Sequence, residues 1–208
     1  MSSQPITRYQ FRKLIKITKK ENNRFIALRD SLMYEFAYYL GLRPMEIRCI
    51  RLSHINFQEH ILFIPAENNK ERNSDNFPIS KRVFIKLITY LKKRKTSSEW
   101  LFPCYWNHDR KQDVPVDKRT FERNFSRRIM ELGFIQCSFI DRQNLPRYNL
   151  NLYSFRKRFG TAAYKKFKCP KRTANLLRQY DPSLQSVWRY IYFAENENRG
   201  KLLNKIPS

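Results

Sequence analysis

The spacing of apolar positions predicts a mostly helical chain. Thr7 followed by Gln10 forms a capping box, and Phe11, Leu14, Ile15 and Thr18 then recur at helical spacing. A second helix is predicted from about Asn23 to Tyr39, with Phe25, Ile26, Leu32, Phe36 and Leu40 as its apolar positions and Gly41 as its C-terminal stop. Another starts near Pro44, a residue suited to a first helical turn, and carries Ile47 and Ile50. The period then changes. His60 to Pro65 reads as a strand, Asn73 to Asn76 as a turn, and Phe77 to Ile79 as a returning strand. Ser80 is a candidate cap for a helix from Val83 to Leu91, whose Phe84, Leu87, Ile88 and Leu91 form one face. A loop from about Thr96 to Asp117 holds the apolar anchors Trp100, Leu101 and Phe102. Helices follow at about Thr120 to Leu132, Tyr153 to Lys166, Lys171 to Tyr180 and Ser183 to Ala194. The expected fold class is α+β: mostly α with a small antiparallel β-sheet, in two layers around one core.

Composition narrows the function. The 208 residues fit one domain, and 41% hydrophobic and 15% aromatic residues exclude global disorder. The formal net charge is +24, from 42 Lys and Arg against 18 Asp and Glu. A polyanion is the natural partner, because each neutralised phosphate releases condensed counterions. No membrane role is expected. The most apolar stretch, Phe25 to Leu42, contains Arg29, Asp30 and Glu35, and the start MSSQPITRYQ lacks an apolar signal core. Cys49, Cys104, Cys137 and Cys169 form no CxxC, and no His pair has ligand spacing, so neither structural zinc nor a disulfide framework is expected. A reducing compartment is the default.

Three segments carry candidate chemistry. Gly41-Leu-Arg-Pro-Met-Glu-Ile47 places Arg43 at a helix start, where backbone N–H groups favour an anion and a guanidinium adds a two-pronged donor. Alone, this segment reads as a solvated arginine. In Tyr153-Ser-Phe-Arg-Lys-Arg-Phe-Gly-Thr161, Tyr153 and Arg156 are three apart on a helix, while Phe155 and Phe159 face the core. That pattern predicts one buried side and one side presenting Tyr153, Arg156 and Lys157. Alone, it reads as a basic helix lying on a nucleic-acid backbone. The third segment, Tyr180 to Tyr192, starts a helix at Pro182 and Ser183 and ends in aromatics. A tyrosine hydroxyl has an ordinary pKa of about 10 and needs help to act as a nucleophile. Two arginines on one phosphate would supply that help, by stabilising developing charge and aligning the attack.

Taken in order, these segments resemble the tyrosine recombinase (phage integrase) family. Gly41, Leu42, Arg43 and Glu46 match its GLRxxE motif. Tyr153 to Thr161 matches HxLRHxxA/GT, and the last segment matches LGHxxxxxTxxxY ending at Tyr190. The arginines are 156 − 43 = 113 residues apart, and Tyr190 lies 190 − 156 = 34 residues beyond. ITRYQFRKLIKI resembles the start of the family's catalytic domain, and SEWLF at Ser98 to Phe102 agrees. The general shape is that of the small invertase type without a separate core-binding domain. The resemblance implies residues 1–193 as catalytic domain and 194–208 as a tail that docks on a neighbouring protomer, with Leu202, Leu203 and Ile206 as its apolar contacts.

The resemblance also implies a reaction. A tyrosine attacks the scissile phosphate, a 3′-phosphotyrosyl link forms and a 5′-hydroxyl leaves, with no metal and no nucleotide cofactor. The expected site is Arg43, Lys70, Tyr153, Arg156, Gln179 and the nucleophile Tyr190, with Lys70 as general acid. Arg72 is the runner-up for that acid and Tyr192 a rival nucleophile. Duplex DNA is the expected partner, bound as a homo-oligomer (dimer or tetramer). The expected location is the cytoplasm or nucleoid, or an organelle with A/T-rich DNA.

The chain departs from the motifs at three histidines, one of them the His after the second Arg, where Lys157 stands. Tyr153 stands at the first, and Gln179 or Tyr180 falls at the later His or Trp. These departures leave open a catalytically degenerate DNA-binding protein. An unrelated RNA-binding protein that uses its charge and aromatics for stacking is the third reading.

Overall fold

Helix caps set the first half of the fold. The computed structural model describes residues 3–68, 72–94, 96–104, 113–140, 146–179 and 184–203. Helix α1 (Arg8–Thr18) starts at Thr7, whose hydroxyl accepts the Gln10 N–H at 3.1 Å while the Gln10 side chain accepts the Thr7 N–H at 2.9 Å. Helix α2 (Arg24–Leu40) starts at Asn23, whose Oδ1 accepts the N–H groups of Phe25 and Ile26. It stops at Gly41, whose φ of +64° favours glycine. A Cβ on Gly41 would sit 2.4 Å from the Phe159 ring, so the same residue lets two helices approach closely.

Helix α3 (Pro44–Arg48) follows at once. Next comes an antiparallel sheet in the order β1 (Ile55–Asn56), β2 (Ile61–Ile64) and β3 (Asp75–Pro78). Leu62 pairs with Phe77, and Leu62, Ile64 and Phe77 turn inward while Phe63 faces out. The segment expected to be a turn at Asn73 to Asn76 thus already enters β3. Ser80 is the N-cap residue of α4 (Lys81–Lys93), although its hydroxyl makes no capping bond. Leu101 and Phe102 are fully buried, as the anchors of the following loop should be.

Helix α5 (Lys118–Glu131) begins at Asp117, whose carboxylate caps Arg119 and Thr120. The sequence pattern did not indicate the two-stranded sheet of β4 (Cys137–Ile140) and β5 (Pro146–Tyr148). These strands are short, one starts at a proline, and their pairing has an irregularity between Cys137 and Phe139. Helices α6 (Tyr153–Phe167), α7 (Pro170–Leu176) and α8 (Gln185–Leu203) complete the chain. The third of these runs past Ala194, where the sequence reading ended it.

The fold class read from the sequence, mostly α with a small antiparallel sheet, is the one observed. One expectation fails. Helix α6 was expected to expose one side, yet Ser154, Phe155, Arg156, Lys157, Gly160 and Thr161 are all buried. It is the central helix, with α2, α7 and α8 packed around it. Its buried cations are accommodated because backbone carbonyls accept their N–H groups.

Lys157 is one of them. Its ammonium donates to the Ser3 carbonyl and lies 5.7 Å from the Phe193 ring. Burial, with Arg189 adding repulsion, brings its pKa down to about 8. The folded state therefore binds fewer protons than the unfolded chain between about pH 8 and the ordinary value of 10.5. The charge penalty is full below that window and is relieved as pH rises through it. Wild-type protein should gain on the order of 1–2 kcal/mol relative to Lys157→Met between pH 7 and pH 10. Urea unfolding at both pH values measures this, and a constant difference between the two proteins would contradict it.

Candidate active site

The turn after α2 delivers Arg43. Glu46, one turn later, accepts the Arg43 backbone N–H at 2.6 Å through Oε2 and the guanidinium at 2.9 Å through Oε1. The carboxylate thus fixes both the helix start and the arginine side chain, which stays slightly exposed, at 11%. Glu46 itself is fully buried.

Arg156 arrives from the middle of α6. Its Nη1 donates to the Gly41 carbonyl at 2.7 Å, and its Nη2 donates to the Leu177 carbonyl just past α7. One guanidinium therefore joins the turn before Arg43 to the end of α7. Burial and the neighbouring charge of Arg43 bring the pKa of Arg156 down to about 10, with Tyr190 and Glu46 opposing and Arg178 adding repulsion. Arg156 keeps its positive charge at neutral pH.

Tyr190 lies on α8 and is 3% exposed. Its ring rests on α6 at Gly160, where an added Cβ would come within 2.7 Å of it. It is within electrostatic reach of Arg156. Tyr192, two residues on, is 63% exposed and points away from this contact. The arrangement can hold a phosphate between two arginines beside a tyrosine hydroxyl.

The structure brings together Arg43, Arg156 and Tyr190 from the expected set. Gln179 follows α7, and its Oε1 is buried with no hydrogen-bond partner among the described residues. Tyr153 stands apart. It opens α6 and is 52% exposed, with its backbone N–H on Asn151. Lys70 and Tyr180 lie outside the described residues. Arg72 is exposed, with a φ of +53°, just before β3.

Sequence reasoning missed Arg178. This residue is fully buried, and its Nη2 donates to Glu46 Oε2 at 2.5 Å. Its guanidinium lies 4.4 Å from the Phe77 ring, so β3 forms a wall of the same cluster. A signal was present: Arg178 lies directly before Gln179, one of the two residues that fall at the later His or Trp.

The phage integrase family signature matches residues 4–167, more than three quarters of the chain, including Arg43 and Arg156. The chain belongs to the phage integrase family. It is 27% identical over 145 residues to the tyrosine recombinase XerA of Pyrococcus furiosus, covering 62% of this chain and 48% of the relative. The chain thus spans about half the length of that curated relative. The crystal structure of XerA recombinase superposes with a TM-score of 0.69 at 15% identity, over 100% of this chain and 67% of that one. XerH site-specific recombinase, bound to a palindromic difH substrate after cleavage, also gives 0.69 at 14% identity, over 96% and 52%. The family match ends before Tyr190, whereas the fold likeness to XerA includes α8.

Proposed function

We propose that this member of the phage integrase family cleaves and rejoins duplex DNA at specific sites through a 3′-phosphotyrosyl intermediate. The observation that carries the reading is the meeting of Arg43 and Arg156, 113 residues apart in sequence, in one buried cluster with Tyr190 beside them. Tyr190 Oη bonds to the scissile phosphorus as the bond to the 5′-oxygen breaks. The tyrosine gives up its proton and the leaving oxygen takes one, for which the family resemblance nominates Lys70. A second strand's 5′-hydroxyl reverses the step. One phosphoester replaces another, so no external energy source is required. The two guanidiniums neutralise charge on the phosphate and hold it in line.

Charge supports duplex DNA as the partner. A groove of about 360 Å³ is lined by five cations, Arg8, Arg12, Lys19, Arg82 and Lys86, against one carboxylate, Glu35, and four apolar or aromatic residues, and the net charge is +24. XerH is bound to its DNA substrate in the solved complex. By analogy this chain works where DNA is, as a homo-oligomer on its site. Its residues 1–193 carry the chemistry and 194–208 contact a neighbour.

A nicked duplex carrying the target site tests the reading. The nick lets the fragment with the 5′-hydroxyl diffuse away, so the covalent intermediate accumulates. A denaturation-resistant protein–DNA adduct is expected. Tight, site-specific binding without any adduct would instead establish the binding-only reading.

A further inference from the structure

We infer that Arg178 is a third arginine of the phosphate site, supplying donors where the family's LGH stretch carries its histidine. The inference rests on the recombinase reading for the identity of the phosphate, and on the following geometry for the anion site itself.

Arg178 has no access to solvent. Its Nη2 is engaged by Glu46, but Nε and Nη1 are buried with no acceptor among the described residues. It is the only guanidinium among the described residues with buried atoms so left. Buried N–H groups of a cation without acceptors are costly, and an anion is the ligand that satisfies them. The surrounding charge says the same. Arg43 and Arg178 both bond to the buried carboxylate of Glu46, and Arg156 lies within electrostatic reach of all three. Arg178 acts on Arg156 as an added repulsion. A phosphate oxygen would relieve that repulsion and fill the vacant donors together.

The backbone adds a second line. Arg178 has a φ of +51°, in the left-handed region that favours glycine. The left-handed turn sends the side chain back toward Glu46 directly after Leu177, whose carbonyl accepts from Arg156. The neighbour Gln179, one of the two residues nearest the motif's histidine place, has its own unfilled Oε1. The chain thus lacks the imidazole donor and carries a buried guanidinium beside its place.

The test uses the full chain and inorganic phosphate as probe, read by calorimetric titration and by thermal unfolding. Arg178→Gly relieves the left-handed backbone but also removes the buried ion pair with Glu46, so its melting temperature is recorded beside its affinity. Its affinity for phosphate should fall at least tenfold. Arg178→Lys, which keeps a cation on Glu46 but not the fork, should also bind phosphate more weakly. Unchanged phosphate affinity in either variant overturns the inference, as does a wild-type chain that binds no phosphate. If neither variant folds, Arg178 is structural and the inference is likewise overturned. The adduct assay separates the two readings. An adduct formed by wild type with phosphate binding indifferent to Arg178 leaves the recombinase reading standing alone. Arg178-dependent phosphate binding without an adduct leaves the anion site standing without strand cleavage.

Discussion

Replacing Arg156 with alanine is expected to slow formation of the covalent DNA adduct about a thousandfold, the scale seen when a donor to developing charge is removed. No neighbour can cover its place. Arg43 is held by Glu46 and Arg178 by the same carboxylate, so neither can swing into the gap. The substitution also strips donors from the Gly41 and Leu177 carbonyls, at a cost of about 1–3 kcal/mol for each group left buried and unbonded. Thermal unfolding must therefore accompany the kinetics, which are run well below the variant's Tm. Arg156→Lys separates the two effects. It keeps the charge but not the planar fork, so it should recover part of the stability while remaining at least about a hundredfold slow. A folded Arg156→Ala variant with near-normal rates would remove Arg156 from the chemistry.

The largest effect on stability is expected far from that cluster, at Asp30. This carboxylate is fully buried in α2 and accepts from Arg29 Nε and Nη2 at 3.0 and 2.9 Å, from Arg128 Nη1 at 2.7 Å and from Asn124 at 2.9 Å. Both arginines are about 98% buried. Arg128 also reaches the Tyr34 hydroxyl and, on α5, ties that helix to α2. Asp30→Ala leaves two buried guanidiniums short of their shared anion, which costs about 3–5 kcal/mol. For a chain of this length that is a fall in Tm on the order of 10 °C. Thermal or urea unfolding measures it, and a loss below about 1 kcal/mol would mean that water relaxes around the pair.

Both results bear on what was legible beforehand. Local signals were read well: the Thr7 capping box, the Gly41 stop, and the apolar spacing that gives the helices. Arg43, Arg156 and Tyr190 were legible because each sits in a short motif with its own spacing. What failed depended on distant partners. Arg29, Asp30 and Glu35 were visible only as charges that bar a membrane span. Their burial follows from the apolar run around them, but nothing local names Arg128, Asn124 or Lys86 as the groups that accompany them. The exposed face expected of α6 failed for the same reason, because Arg156 and Lys157 look solvated until Gly41, Leu177 and Ser3 supply carbonyls. Arg178 was hidden by its position in a loop, where a basic residue ordinarily faces water.

The central claim is that Tyr190 is the atom donor to DNA, and peptide mapping of the trapped adduct tests it most directly. The adduct from the nicked duplex is digested with protease and nuclease, and the modified peptide is sequenced by mass spectrometry. A nucleotide joined through its 3′-phosphate to Tyr190, absent from the Tyr190→Phe variant, is the expected result. A modification at Tyr192 or Tyr153, or an adduct that survives Tyr190→Phe, would contradict it.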